Sequence, residues 1–151
     1  MPHDIHRATT KDIDCMLNTD EKVFAEFVTT VDGKFDPEQW RKYIAGDIPR
    51  AFVLFVDGQY GGYFRYSELE DSKGKYAYLR VISVEDEHKG KGYGKALYDV
   101  FLQAIKKAGF TRIILSCPKG FASNSWYLKL GYTLFESDEH ANRYVLDEII
   151  K

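Results

Sequence analysis

Apolar residues recur near the start of the chain at helical spacing: Ile13, Met16, Leu17, then Val23, Phe24 and Phe27. The pattern predicts one or two helices over residues 10–29, with Thr10 as N-cap, behind a short strand in IHRA (residues 5–8). DPEQWRKYI adds a short helix, with Asp36 as cap and Pro37 at the first helical position, where its missing N–H is no loss. The pattern then turns β-rich. AFVLFV and QYGGYFRYSEL flank Asp57-Gly58, a strong hairpin signal. After the polar turn EDSKG comes KYAYLRVISV, whose length and apolar content predict a central strand. In YGKALYDVFLQAIKKAG the residues Leu97, Val100, Phe101, Ala104, Ile105 and Ala108 form one helical face, and Gly109 suits the C-terminal cap. TRIILSC reads as a buried strand and SNSWYLKLG as a short helix closed by Gly131. YTLFES and NRYVLDEII read as a last pair of strands. The stretch from Lys75 to Cys117 has room for a right-handed strand–helix–strand crossover, so the expected class is α/β with a mixed sheet.

Composition narrows the function classes. The 151 residues are 44% hydrophobic, 15% aromatic and 29% charged, which is the make-up of one folded domain. A formal net charge of −2 offers no global attraction for nucleic acid or an anionic membrane. Cys15 and Cys117 stand far apart with no CxxC or Cys/His cluster, and read as reduced thiols of a cytoplasmic protein. MPHDIHRATT lacks the apolar core of a signal peptide, and no run approaches the roughly 18 apolar residues of a membrane span.

The chemistry concentrates in HKGKGYGKAL, residues 88–97, where Gly90, Gly92 and Gly94 stand at alternate positions, with lysines between and beside them, before the clearest apolar helix. A nucleotide P-loop fails here: Lys89 stands where its first glycine belongs and Ala96 where its hydroxyl belongs. The dinucleotide fingerprint fails on its GxGxG spacing and on TRIILS at the place of its acid. What survives is strand, acidic loop, KGKGYG, helix. This resembles the acyl-CoA signature of the GNAT superfamily of N-acetyltransferases, (Arg/Gln)-x-x-Gly-x-(Gly/Ala), with Lys89, Gly92 and Gly94 at the defined positions. WYLKLGY resembles the second family signature, a tyrosine four residues before a helix-ending glycine.

The resemblance implies a GNAT-type, mostly antiparallel mixed sheet flanked by helices, as a single domain over residues 1–151. It implies acetyl-CoA as acyl donor and no metal. Backbone N–H groups at a helix start hold phosphates well, glycines keep those amides accessible, and Lys89, Lys91 and Lys95 add charge. The cofactor site is therefore expected along Lys89, Gly90, Lys91, Gly92, Tyr93, Gly94 and Lys95, with the pantetheine arm beside the backbone of Ile82 and Val84. Lysine stands at position 89 where relatives usually have Arg or Gln; it retains the charge of an arginine but loses its planar fork. Asn124 is a further CoA contact or a residue that starts its helix; relatives place the asparagine about seven residues before the tyrosine, where this chain has Gly120.

Acetyl transfer needs a neutral amine, and deprotonating a primary amine at pH 7 costs roughly 4–5 kcal/mol. By resemblance Tyr127 protonates the departing thiolate. The base is not legible: KYAYLRVISV carries no carboxylate, Glu85, Asp86 and Glu87 read as a solvated loop, and a water relay serves equally. His88 abuts the loop, and Cys117 ends a strand without a covalent role. Phe24, Phe27, Phe35, Trp40, Tyr132 and Tyr144 either wall an acceptor pocket or fill the core. The implied partner is a small-molecule or peptide amine, without nucleic acid or membrane, and with room for a homodimer. A non-catalytic acyl-CoA-binding module of the same fold is the alternative.

Overall fold

The computed structural model describes residues 3–24, 41, 44–46 and 49–147. The helix expected from Asp36 and Pro37 lies almost wholly outside them, as do Phe27, Phe35, Trp40 and the side chain of Phe24.

Seven strands form one sheet: β1 (His3–Arg7), β2 (Ala51–Val56), β3 (Gln59–Asp71), β4 (Gly74–Val84), β5 (Ile113–Pro118), β6 (Thr133–Ser137) and β7 (Ala141–Leu146). Their order is β1-β2-β3-β4-β5-β7-β6, so β4 is central, as its apolar length predicts. β4 pairs with β5 in parallel, and β1–β2, β2–β3, β5–β7 and β6–β7 are antiparallel. Helices that lie wholly within the described residues are α1 (Ile13–Phe24), α2 (Tyr93–Lys107) and α3 (Ser123–Lys129). α2 is the crossover between β4 and β5.

Local chemistry sets the element ends. Asp57 and Gly58, at φ of 51° and 80°, turn the β2–β3 hairpin, as the Asp-Gly signal predicts. α2 ends with the Phe110 N–H on the Ile105 carbonyl and the Gly109 N–H on that of Lys106. α3 ends in the same way, with Tyr132 on Tyr127 and Gly131 on Leu128. Both ends need a residue at positive φ, and Gly109 and Gly131 supply it at 91° and 102°. The N-terminal cap departs from expectation: it is Thr9, not Thr10. Thr9 accepts the Lys11 N–H, and the Asp12 carboxylate returns to the Thr9 N–H at 2.9 Å, leading into a 3-10 turn over Thr10–Asp12. Three residues after Thr9 stands an acid; three after Thr10 stands Ile13, which cannot close that reciprocal pair.

The described chain falls into two compact units, Met1–Arg65 with Val81–Ala104, and Tyr66–Arg80 with Ile105–Lys151; β3 and β4 run through both. In the first, Ala8, Ile13, Met16, Ala51, Val53, Tyr63 and Val81 make the core under α1. Phe64 meets Phe101 of α2 edge-on at 5.5 Å. The first unit also buries an ion pair: Arg65 reaches Asp20 at 3.4 Å, and the Tyr63 hydroxyl donates to the same carboxylate. In the second, Ile105, Phe110, Ile113, Leu115, Tyr127, Tyr132 and Tyr144 are buried. Arg112 ties that unit's turn together, donating to Asp71 at 2.5 Å and to the Gly74 carbonyl at 3.1 Å.

Candidate active site

The phosphate-binding candidates are contiguous in the first unit. β4 is registered with β5 over Ala77–Leu79, and its strand continues through Arg80 to Val84. Ile82 and Val84 lie on that extension and are half-buried. A 3-10 turn over Asp86–His88 follows, then the glycine run into α2. Gly90 and Gly92 have φ of 78° and 87°, a conformation other residues adopt only at a cost. Gly94 has no such φ and sits inside the helix. A Cβ at Gly90, Gly92 or Gly94 would meet no protein atom within 4 Å. Protein packing therefore does not demand the glycine at Gly94, and the space beside its backbone is open.

The Ala96 N–H is the first to bond back into the helix, on the Gly92 carbonyl. The N–H groups of Tyr93, Gly94 and Lys95 before it have no intrahelical acceptor, and no acid stands in that turn to compete for them. Tyr93 is buried edge-on against His3 and His88, at centroid distances of 5.3 and 6.0 Å, and so anchors the loop. Lys89 pairs with Asp86 at 2.8 Å and Lys95 with Asp99 at 3.0 Å, both at the surface. Lys91 is exposed.

Sequence reasoning missed what fixes the end of β4. β3 bulges against β2, where the register shifts between Leu54 and Phe55. The Gly61 carbonyl there accepts the Glu85 N–H at 2.8 Å. At Gly62 a Cβ would stand 2.3 Å from the Ser83 carbonyl oxygen. The signal was the Gly-Gly pair soon after a hairpin turn, a mark of a bulge or close approach.

Tyr127 and Asn124 lie on α3 in the second unit. Tyr127 is 6% exposed, with its ring 5.3 Å from Trp126, 5.7 Å from Tyr132 and 6.1 Å from Tyr144. Tyr132 and Tyr144 are thus core packing around it. Asn124 caps nothing, since no side-chain bond starts this helix. Its amide donates to the carbonyls of Pro118 and Phe121 and accepts from Tyr144 and Asn142, at 2.8–3.1 Å. Those four bonds fill its capacity and brace α3 against β7. Asn124→Ala should cost about 1–3 kcal/mol by leaving partly buried partners unpaired, read as a lower urea midpoint. Burial pushes the Cys117 thiol up to about 11, which suits no nucleophile.

The acetyltransferase (GNAT) family model matches residues 17–132 of the sequence. The chain belongs to the GNAT family. Acetyl-CoA is accordingly its acyl-donor cosubstrate, and the open glycine run with its unpaired helix-start amides fits the diphosphate. Solved GNAT structures share the fold. PaiA N-acetyltransferase from Thermoplasma acidophilum, in complex with coenzyme A, superposes with a TM-score of 0.79 at 16% identity, over 97% of this chain and 99% of that one. YncA from Salmonella typhimurium, a putative acetyltransferase with its cofactor acetyl-CoA, gives 0.76 at 15% identity, over 96% and 93%. The ribosomal-protein-S18-alanine N-acetyltransferase from Escherichia coli gives 0.70 at 17%, over 99% and 96%. No curated protein matches the sequence. Among the described residues no helix is long and apolar enough to cross a membrane.

Proposed function

We propose that the chain, acting as a single domain, is an N-acetyltransferase that moves the acetyl group of acetyl-CoA to a primary amine by direct attack in a ternary complex. The observation that carries the reading is the glycine run whose Cβ positions are open and whose following helix start has unpaired N–H groups. Acetyl-CoA supplies the activated thioester when bound. The amides of Gly92, Tyr93, Gly94 and Lys95 bind the diphosphate, assisted by the charges of Lys89, Lys91 and Lys95. The backbone of β4 at Ile82 and Val84 pairs with the pantetheine arm as an added strand would. The Tyr127 hydroxyl holds the proton destined for the leaving sulfur. The free thiols of Cys15 and Cys117 suit a reducing cytoplasm.

Gly92→Asp tests the loop. Asp tolerates the positive φ better than most residues, so the fold survives. Its carboxylate stands where phosphate approaches, and acetyl-CoA should bind more than about tenfold more weakly by calorimetry, a loss of at least ~1.4 kcal/mol. Gly92→Asn carries the same shape without the charge and should lose less. Equal affinity in the wild type and Gly92→Asp places the phosphates elsewhere. A second reading, an acyl-CoA-binding module without transfer, is favoured by one observation: β4, from Gly74 to Val84, has no carboxylate to serve as base. Turnover of any amine above the hydrolytic background eliminates it.

A further inference from the structure

The three acids after β4 look alike in sequence but not in space. Asp86 and Glu87 have side chains 95% and 74% exposed, as a solvated loop would. Glu85 is different: its side chain is 20% exposed, and its backbone is pinned to Gly61, beside Tyr60. It faces α1, where Cys15, Thr19 and Lys22 share one face at helical spacing.

The polar valences there can be assigned. The Thr19 hydroxyl donates to the Cys15 carbonyl at 3.2 Å. Its 2.7 Å contact with Tyr60 must then be donated by the Tyr60 hydroxyl. The Tyr60 oxygen keeps lone pairs for accepting. Burial raises the proton affinity of Tyr60 and Cys15; Glu85 adds to it at Tyr60, and at Cys15 it adds less than Asp12 and Asp14 do. The other acid on this side, Asp20, is already matched by Arg65 and Tyr63. Glu85 is matched differently, by the Lys22 ammonium at 3.5 Å, on a side chain that is 69% exposed. A sheltered carboxylate paired with an exposed primary ammonium is held by a weak, replaceable bond.

We propose that Glu85 and Tyr60 form the subsite that binds the acceptor's ammonium, and that Lys22 occupies it until a substrate amine displaces it. The subsite rests on the transferase reading above and gives it a substrate class: an unhindered primary amine that arrives as a cation. Lys22 is such a group, carried by the chain itself. A carboxylate and a phenol oxygen offer acceptors only, and an ammonium offers three donors.

Titration calorimetry tests this with 1,5-diaminopentane and a lysine-containing peptide amide as probes, each added to the protein with and without saturating CoA. Glu85→Gln keeps the shape and removes the charge. It should weaken amine binding about 10- to 100-fold, the worth of a charge-assisted hydrogen bond, with CoA affinity unchanged. Lys22→Met removes the internal competitor and should tighten the same amines by up to about fivefold, which loss of a merely structural ion pair would not do. Amine binding indifferent to both substitutions overturns the subsite, as does a wild type that binds CoA but neither probe. A wild type that shows no heat with CoA strikes the transferase reading instead. If Glu85→Gln loses CoA binding as well, Lys22→Met decides: weaker or unchanged amine affinity ends the proposal.

Discussion

Gly62→Ala is expected to lower the melting temperature by about 6–12 °C, as followed by circular dichroism, a loss of roughly 3 kcal/mol. Two costs combine. Gly62 sits at φ 154°, a backbone state L side chains rarely adopt. The added Cβ would also stand 2.3 Å from the Ser83 carbonyl oxygen and 3.0 Å from the Val84 Cα. Both are backbone atoms of a paired strand, so neither can rotate away as a side chain would, and relief requires moving the end of β4. Gly74→Ala provides the comparison. Its φ is 113° but its Cβ would meet nothing within 4 Å, so it carries the conformational cost alone, about 1 kcal/mol. The difference between the two variants measures the close approach. It also links the bulge to function, because Ser83 and Val84 lie on the strand segment proposed to pair with pantetheine. Gly62→Ala should therefore weaken acetyl-CoA binding in protein that is still folded at low temperature, whereas Gly74→Ala should not. Equal melting of the two variants would show that β3 and β4 have room to spare at this point.

That glycine illustrates what the sequence could and could not convey. Features decided within a few residues were legible: the Asp57-Gly58 hairpin, the glycine ends of α2 and α3, and the central strand followed by its glycine run. Each depends on φ preferences or periodicity confined to a short window. The Thr9 cap was legible in principle, because Asp12 is three residues on; the preference for Thr10 ignored that reciprocal partner. Features decided by distant partners were not legible. Gly62 is required by Ser83, twenty-one positions away, and the role of Asn124 depends on Asn142 and Tyr144 across β7. Nor does composition separate Glu85 from Asp86 and Glu87. Only the Gly61 carbonyl and the side chains of α1 distinguish it. The buried Asp20–Arg65 pair was invisible for the same reason: its members stand 45 positions apart, and neither shows its counter-charge within a short window.

Tyr127→Phe should lower kcat by roughly 10²-fold, the lower end for loss of a general acid, and leave acetyl-CoA affinity almost unchanged. The packing makes this a clean substitution. The Tyr127 ring is enclosed by Trp126, Tyr132 and Tyr144, and phenylalanine keeps all three ring contacts. A fall in rate without a fall in melting temperature then reports on the hydroxyl alone. An ordinary phenol holds its proton at neutral pH and can give it to a thiolate whose conjugate acid lies near pKa 8.5. That proton matters only as the carbon–sulfur bond breaks, so the loss belongs in kcat and not in binding. At pH 9 most of the released thiol is stable as thiolate, and the gap between variant and wild type should narrow. A gap that stays constant from pH 7 to 9 would point to positioning by the hydroxyl and not to proton donation. If kcat is unchanged, Tyr127 is a core residue of α3. If acetyl-CoA affinity falls in step with kcat, its role is packing against the cofactor. The ratio of the two losses, measured on one variant that keeps its fold, separates the three cases.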